Sequence, residues 1–118
     1  MKILVVNFKD PVSGRLISWL KEQGHMVLEK NIKKEGLPQI ICETQPGAVI
    51  LDARHTYNPV AQAISAIQEL PPSHVFVLTD YTDSFLAGKF QEAGIQNYMT
   101  ADQFMETVTL PLNEESDS

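Results

Sequence analysis

The side chains able to do chemistry in this chain are few, and most of them stand alone. Asp52 closes the apolar run "AVILD", and His55 follows three residues later. A carboxylate and an imidazole could work as an acid–base pair, although loops also produce that spacing by chance. Asp10 stands immediately before Pro11, where an aspartate is equally suited to starting a helix. Thr79 and Asp80 close a third run, "HVFVLTD". His25 and His74 begin apolar runs, are expected to be half-exposed, and have no partner at metal-ligand spacing. The single cysteine, Cys42, excludes an internal disulfide and a cysteine zinc cluster. Beside Ile41 it reads as a small hydrophobe on a buried helix face. Gly14, Gly36 and Gly47 make no phosphate-cradling pattern, which disfavours a nucleotide fold.

The elements that must position these residues alternate. "ILVV" (3–6), "AVILD" (48–52) and "HVFVLTD" (74–80) are continuously apolar, as strands covered on both faces are. "HMVLEK" (25–30) and "QNYMT" (96–100) are weaker strands, the second amphipathic and suited to a sheet edge. Between them, "PVSGRLISWLKEQG" opens on Pro11 and stops at Gly24, with Val12, Leu16, Ile17 and Leu20 as its stripe and Trp19 packing at the margin. "LPQIICETQ" is a short helix with Leu37, Ile40, Ile41 and Thr44 on one side. "NPVAQAISAIQELPP" is capped by Asn58, with Val60, Ile64 and Ile67 inward. "TDSFLAGKFQEAG" is capped at Thr82 or Asp83, turns Phe85, Leu86, Phe90 and Ala93 inward and stops at Gly94. The last segment, "ADQFMETVTLPLN", supports a turn or two of helix around 101–106. β-branched Thr107, Val108 and Thr109, followed by Pro111, oppose its continuation.

Strands alternating with helices of this length imply parallel strands joined by right-handed crossovers. The expected fold is α/β: a flavodoxin-like three-layer sandwich with a five-stranded parallel sheet of order 2-1-3-4-5, helices on both faces and a short or degenerate fifth helix. Such sheets bind ligands beyond the carboxyl ends of their strands. The residues there are 7–10, 52–55, Thr79 with Asp80, and Thr100 with Ala101.

Those positions carry a resemblance. "KILVVN", "VILDARH", "VFVLTD" and "FQEAGIQNYMT" together resemble the receiver domain of bacterial two-component response regulators, over roughly residues 2–105. The resemblance implies a phospho-acceptor aspartate at Asp52, a hydroxyl that follows the phosphoryl group at Thr79, and a switching aromatic at Tyr98. It also implies an acidic pair that holds Mg²⁺ at positions 7 and 8, where this chain has Asn7 and Phe8. A lysine is implied after "YMT", where Ala101 stands, followed by Asp102 in place of the usual proline. Mg²⁺ prefers hard oxygen ligands in near-octahedral geometry, and acyl-phosphate transfer needs metal and cation to offset charge on the equatorial oxygens. With Asp10 as the one nearby substitute carboxylate, Asp52 is expected to be inactive as an acceptor. It would then cap the following turn or pair with Lys9 or Arg54. No metal and no cofactor are expected.

The implied function is that of a pseudo-receiver acting by protein–protein interaction in signal transduction or transcriptional regulation, and not that of an enzyme. An atypical receiver still phosphorylated at Asp52 is one alternative. A small-molecule module on the same fold is another, although "NFKDPVSG" is a poor flavodoxin-type loop and lacks the histidine of a cobalamin site. The partner would be another protein, an output domain or a second copy, meeting the face of helix four, strand five and helix five. A shortened fifth helix is expected to leave apolar area around Phe104, Met105, Val108 and Leu110 thinly covered.

Bulk properties agree with these expectations. The chain has 118 residues, 43% hydrophobic and 20% charged, enough for one domain with a real core. A net charge of −6 argues against binding nucleic acid or anionic lipid. No apolar run approaches the roughly 18 residues of a membrane span. Met1-Lys2 leads directly into the first strand with no signal-peptide pattern, so a cytoplasmic location is expected. Residues 1–110 form the expected domain, and 111–118, ending in "NEESDS", an acidic tail or the start of a linker.

Overall fold

Continuous apolar runs can be satisfied only by strands with a layer on each side, and that is how the chain folds. The computed structural model describes residues 1–7, 14–31, 36–53, 59–79 and 82–108. The order is β1 (Lys2–Asn7), α1 (Gly14–Glu22), β2 (Met26–Asn31), α2 (Leu37–Thr44), β3 (Ala48–Asp52), α3 (Pro59–Ile67), β4 (Val75–Thr79), α4 (Ser84–Glu92), β5 (Asn97–Thr100) and α5 (Ala101–Thr107). The five strands are parallel, in the order β2-β1-β3-β4-β5. This is the flavodoxin-like sheet that the sequence predicts. β1, β3 and β4 fill the buried middle, while β2 and β5 are the half-covered edges.

The pleat sends alternate residues of each strand to opposite faces. Ile3, Val5, Ala48, Ile50, Phe76 and Leu78 meet Leu16 and Leu20 of α1 and Phe104 of α5. Leu4, Val6, Val49, Leu51, Val75 and Val77 meet α2, α3 and α4 through residues such as Ile41, Ala63 and Phe90. So α1 and α5 cover one face and the other three helices cover the second.

Two helices close in the same way, and the closure explains a departure from expectation. Gly24 (φ 94°) and Gly94 (φ 93°) take the left-handed conformation that L side chains resist, as expected of helix stops. The amide of the following residue then donates to a carbonyl one turn back: His25 to Leu20 at 3.2 Å and Ile95 to Phe90 at 2.8 Å. This motif folds the residue after the glycine against the helix it closes. His25 is therefore buried rather than half-exposed. His74 is exposed, and it belongs to a 3-10 turn before β4 rather than to the strand.

Three helix faces also turn differently from their expected stripes. Cys42 is exposed, because Leu37 and Ile41 set the inward face of α2 and the next residue lies about 100° around the helix. In α3 the buried residues are Ala63 and Ala66, flanked by Val60 and Ile67, and Ile64 turns outward. Small side chains let this helix approach the sheet closely. In α4, Leu86, Phe90 and Ala93 face the core, and Phe85 is left 71% exposed. The expected cap at Asn58 lies outside the described residues.

The end of the chain also corrects an expectation. α5 is short, as anticipated, and ends at Thr107. Its Phe104 is nevertheless fully buried, not thinly covered. Trp19 and Phe76 meet its ring edge-to-face, with centroids at 5.8 and 5.3 Å, a geometry that favours aromatic pairs. Met105 and Val108 pack partly against the same cluster. Leu110 and the tail at 111–118 lie outside the described residues. Among the described residues no helix is long and apolar enough to cross a membrane.

Candidate functional site

A parallel sheet covered on both faces leaves one natural place for polar chemistry, the rim where the carboxyl ends of the strands meet. The register brings a row of polar side chains to that rim. Asn7 pairs with Asn31 across β1 and β2. Val6 pairs with Leu51, so one further step sets Asn7 beside Asp52. Asp52 pairs with Leu78, and Thr79 pairs with Thr100. The rim thus runs Asn31, Asn7, Asp52, Thr79, Thr100 across the sheet.

Asn7 and Asp52 sit in its covered centre, only 3% and 8% exposed. By the alternation of their strands, both lie on the α1/α5 side. The Nδ2 of Asn31 donates a hydrogen bond to the Oδ1 of Asn7. That bond satisfies a buried carbonyl, and it occupies one of the two lone pairs of the side-chain oxygen of Asn7, the side-chain atom that could ligate a cation. What Asn7 has left to offer is the other lone pair and its own amide donors.

Mg²⁺ is held by hard oxygen ligands, usually with at least one or two carboxylates. Among the described residues Asp52 is the only carboxylate of the rim, and no three His, Cys, Asp or Glu residues are grouped as a metal site requires. The described residues do not fit the ion. Phe8, Lys9, Asp10, Arg54, His55 and Asp80 lie outside the described residues. The expected ion pair of Asp52, its partnership with His55 and the capping role of Asp10 all fall there.

The far side of the rim is fixed by two helix caps. Thr79 is half-buried at the end of β4. Tyr98, half-buried on β5, stacks at a tilt on Phe90 with centroids 4.7 Å apart, and its hydroxyl accepts a hydrogen bond from the Asp83 amide at 3.1 Å. The Asp83 carboxylate in turn accepts from the amides of Phe85 and Leu86 at 2.8 and 3.1 Å, capping α4. Tyr98 is therefore tied to the start of α4 at one end and packed on its body at the other. Thr100 caps α5 through a reciprocal box with Gln103, at 3.1 and 2.9 Å. Ala101, the position of the implied lysine, is the first residue of that helix, and its side chain packs on the α1/α5 core.

Two residues of this arrangement were missed by the sequence reasoning. Asn31 could have been found from the matching ends "ILVVN" and "VLEKN", which place an asparagine at the same step of neighbouring parallel strands. Gln103 could have been found from "TADQ", a capping-box spacing.

The buried amide pair makes a testable demand. Asn7→Asp would place a second carboxylate beside Asp52 in a covered crevice, where, among the described residues, the Asn31 amide is the group placed to offset it. We expect a loss of about 1–3 kcal/mol at neutral pH in denaturant unfolding. Repulsion and burial hold the folded acid's pKa above its unfolded value, so the loss shrinks as pH falls and the group takes up a proton. Millimolar Mg²⁺ should also recover part of it. A variant as stable as the wild type, indifferent to both pH and Mg²⁺, would contradict this picture of the rim.

No protein-family model matches the sequence, and no curated protein does. Solved structures do. The receiver domain of NtrC4 from Aquifex aeolicus superposes with a TM-score of 0.71 at 20% identity, covering 90% of this chain and 91% of that one. A two-component response regulator of the LuxR family from Aurantimonas sp. SI85-9A1 gives 0.64 at 17% identity, over 90% of this chain and 77% of that one. A response regulator protein from Burkholderia multivorans gives 0.54 at 18% identity, over 98% and 89%. The chain has the fold of response-regulator receiver domains.

Proposed function

We propose that this chain is a pseudo-receiver: a non-enzymatic module in signal transduction or transcriptional regulation that acts by contacting other proteins, without Mg²⁺-dependent phosphoryl transfer. The observation that carries this reading is the hydrogen bond from Asn31 to Asn7. Transfer to Asp52 would need a metal and a cation to offset the charge of the phosphoryl oxygens. Position 7 supplies a neutral amide whose oxygen is already engaged, and position 101 supplies a methyl group packed in the core. A cytoplasmic location and the absence of a cofactor belong to the same reading. With Mg²⁺ raised to millimolar levels and beryllofluoride added, the amide signals of residues 7 and 52 and the emission of Trp19 should not move. A saturable shift at both residues would mean that the site still takes the phosphoryl analogue.

The contact surface in this reading is the face of α4, β5 and α5. Phe85 stands exposed there, with the Lys89 ammonium 5.4 Å from its ring centroid. Between α4 and β5, Phe90, Ile95 and Tyr98 line a cleft of about 510 Å³ with no charged side chain among its described lining residues. An exposed phenylalanine on α4 and an uncharged cleft along α4 and β5 suit association with a protein. Light scattering on the isolated chain should give a mass above the monomer at high concentration, and Phe85→Asp should return it to the monomer. A wild-type monomer throughout, or an assembly that ignores Phe85→Asp, would exclude self-association through this face.

A further inference from the structure

α1 and α5 meet side by side on the opposite side of the fold from α3, and the groove between them is graded in charge. At one end Arg15, near the start of α1, pairs with Asp102, near the start of α5, at 3.2 Å. Trp19 and Met105 line the middle, and Glu22 and Glu106 line the rest. The groove encloses about 390 Å³. Of the four ionisable residues among its described lining, the one cation is bonded to one of the three acids. Glu22 and Glu106 are left without a cation among the described lining residues.

Helix electrostatics sharpen that imbalance. The carboxyl end of a helix carries partial negative charge and favours cations in its last turn. Glu22 is the last residue of α1, and Glu106 is the last but one of α5. The last turn of α5 holds no basic residue, and Lys21 of α1 is exposed and does not line the groove. Two acids and two helix carboxyl ends therefore concentrate negative potential at one end of a groove floored by an indole and a thioether. An indole face attracts a desolvated cation, and a methionine adapts to whatever apolar side chain meets it.

We propose that the α1–α5 groove binds a basic segment of a partner protein, one that presents a lysine or arginine beside an apolar side chain. The cation would lie between Glu22 and Glu106 and the apolar neighbour on Trp19 and Met105. The groove shares α5 with the α4–β5–α5 face, but its other wall is α1 and its chemistry is acidic rather than uncharged, so the proposal stands independently of the function proposed above.

Trp19 is the only tryptophan, so the chain's indole emission comes from a residue lining this groove. The probe is an amphipathic lysine–leucine peptide, with an analogue in which every lysine is replaced by glutamine. The lysine peptide should shift Trp19 emission saturably, and the glutamine analogue should not. Glu22→Lys with Glu106→Lys should weaken binding by about tenfold or more, the loss of roughly 1.4 kcal/mol. Glu43→Lys with Glu92→Lys makes the same change in net charge on the exposed outer sides of α2 and α4, and should leave binding within about twofold. No saturable shift, equal binding of the glutamine analogue, or equal weakening by the two charge reversals would overturn the proposal. So would a doubled mass without peptide that Glu22→Lys with Glu106→Lys abolishes, since a second copy would then be the occupant.

Discussion

Burial of β1, β3 and β4 on both faces is the constraint from which the rest of the molecule follows. A strand with helices above and below cannot place a polar side chain along its length without leaving it unsatisfied. Lys2 at the first step of β1 aside, each of these strands is accordingly apolar until its last step, where Asn7, Asp52 and Thr79 appear. Because the strands are parallel, those last steps fall on one rim. Polar chemistry in this fold can be built there or on the outer helix surfaces.

At the rim, burial makes each polar atom need a partner, and the partner decides what the site can do. Asn31 satisfies Asn7 by donating to its oxygen, which leaves one lone pair and the amide donors where Mg²⁺ favours carboxylates. The Thr100–Gln103 box starts α5 at the first residue after β5, so position 101 is a core-packing helix position rather than a loop. With Asp52 as its one carboxylate among the described residues, the rim carries less charge to balance, and Ala101 supplies packing in place of charge. Tyr98, bonded to the Asp83 amide, then connects the rim to the start of α4 through fixed hydrogen bonds.

Strand identity and sheet order were legible in the sequence because burial on two faces writes an uninterrupted apolar run, and helix stops because Gly24 and Gly94 are required at left-handed positions. Which side of a helix faces inward was less legible. Phe85 and Ile64 are as hydrophobic as the residues that pack, and only the rotation of α4 and α3 against the sheet decides that they point outward. His25 was misjudged because its burial comes from the closure of α1 and not from β2. At the site, the places of Asn7 at the end of β1 and Ala101 after β5 were readable from the strand pattern. The Asn31 bond was not read, since it depends on the register of two strands separated by a helix.

If the amide pair has removed phosphoryl chemistry from the rim, restoring the missing charges should return it. The measurement is intact mass after incubation with a small phosphoryl donor and Mg²⁺, for the wild type and for Asn7→Asp, Phe8→Asp, Ala101→Lys combined. A pseudo-receiver predicts an unmodified wild type and a single added phosphoryl group on the triple variant, lost again when Asp52→Asn is introduced. Phosphorylation of the wild type at Asp52 would contradict it.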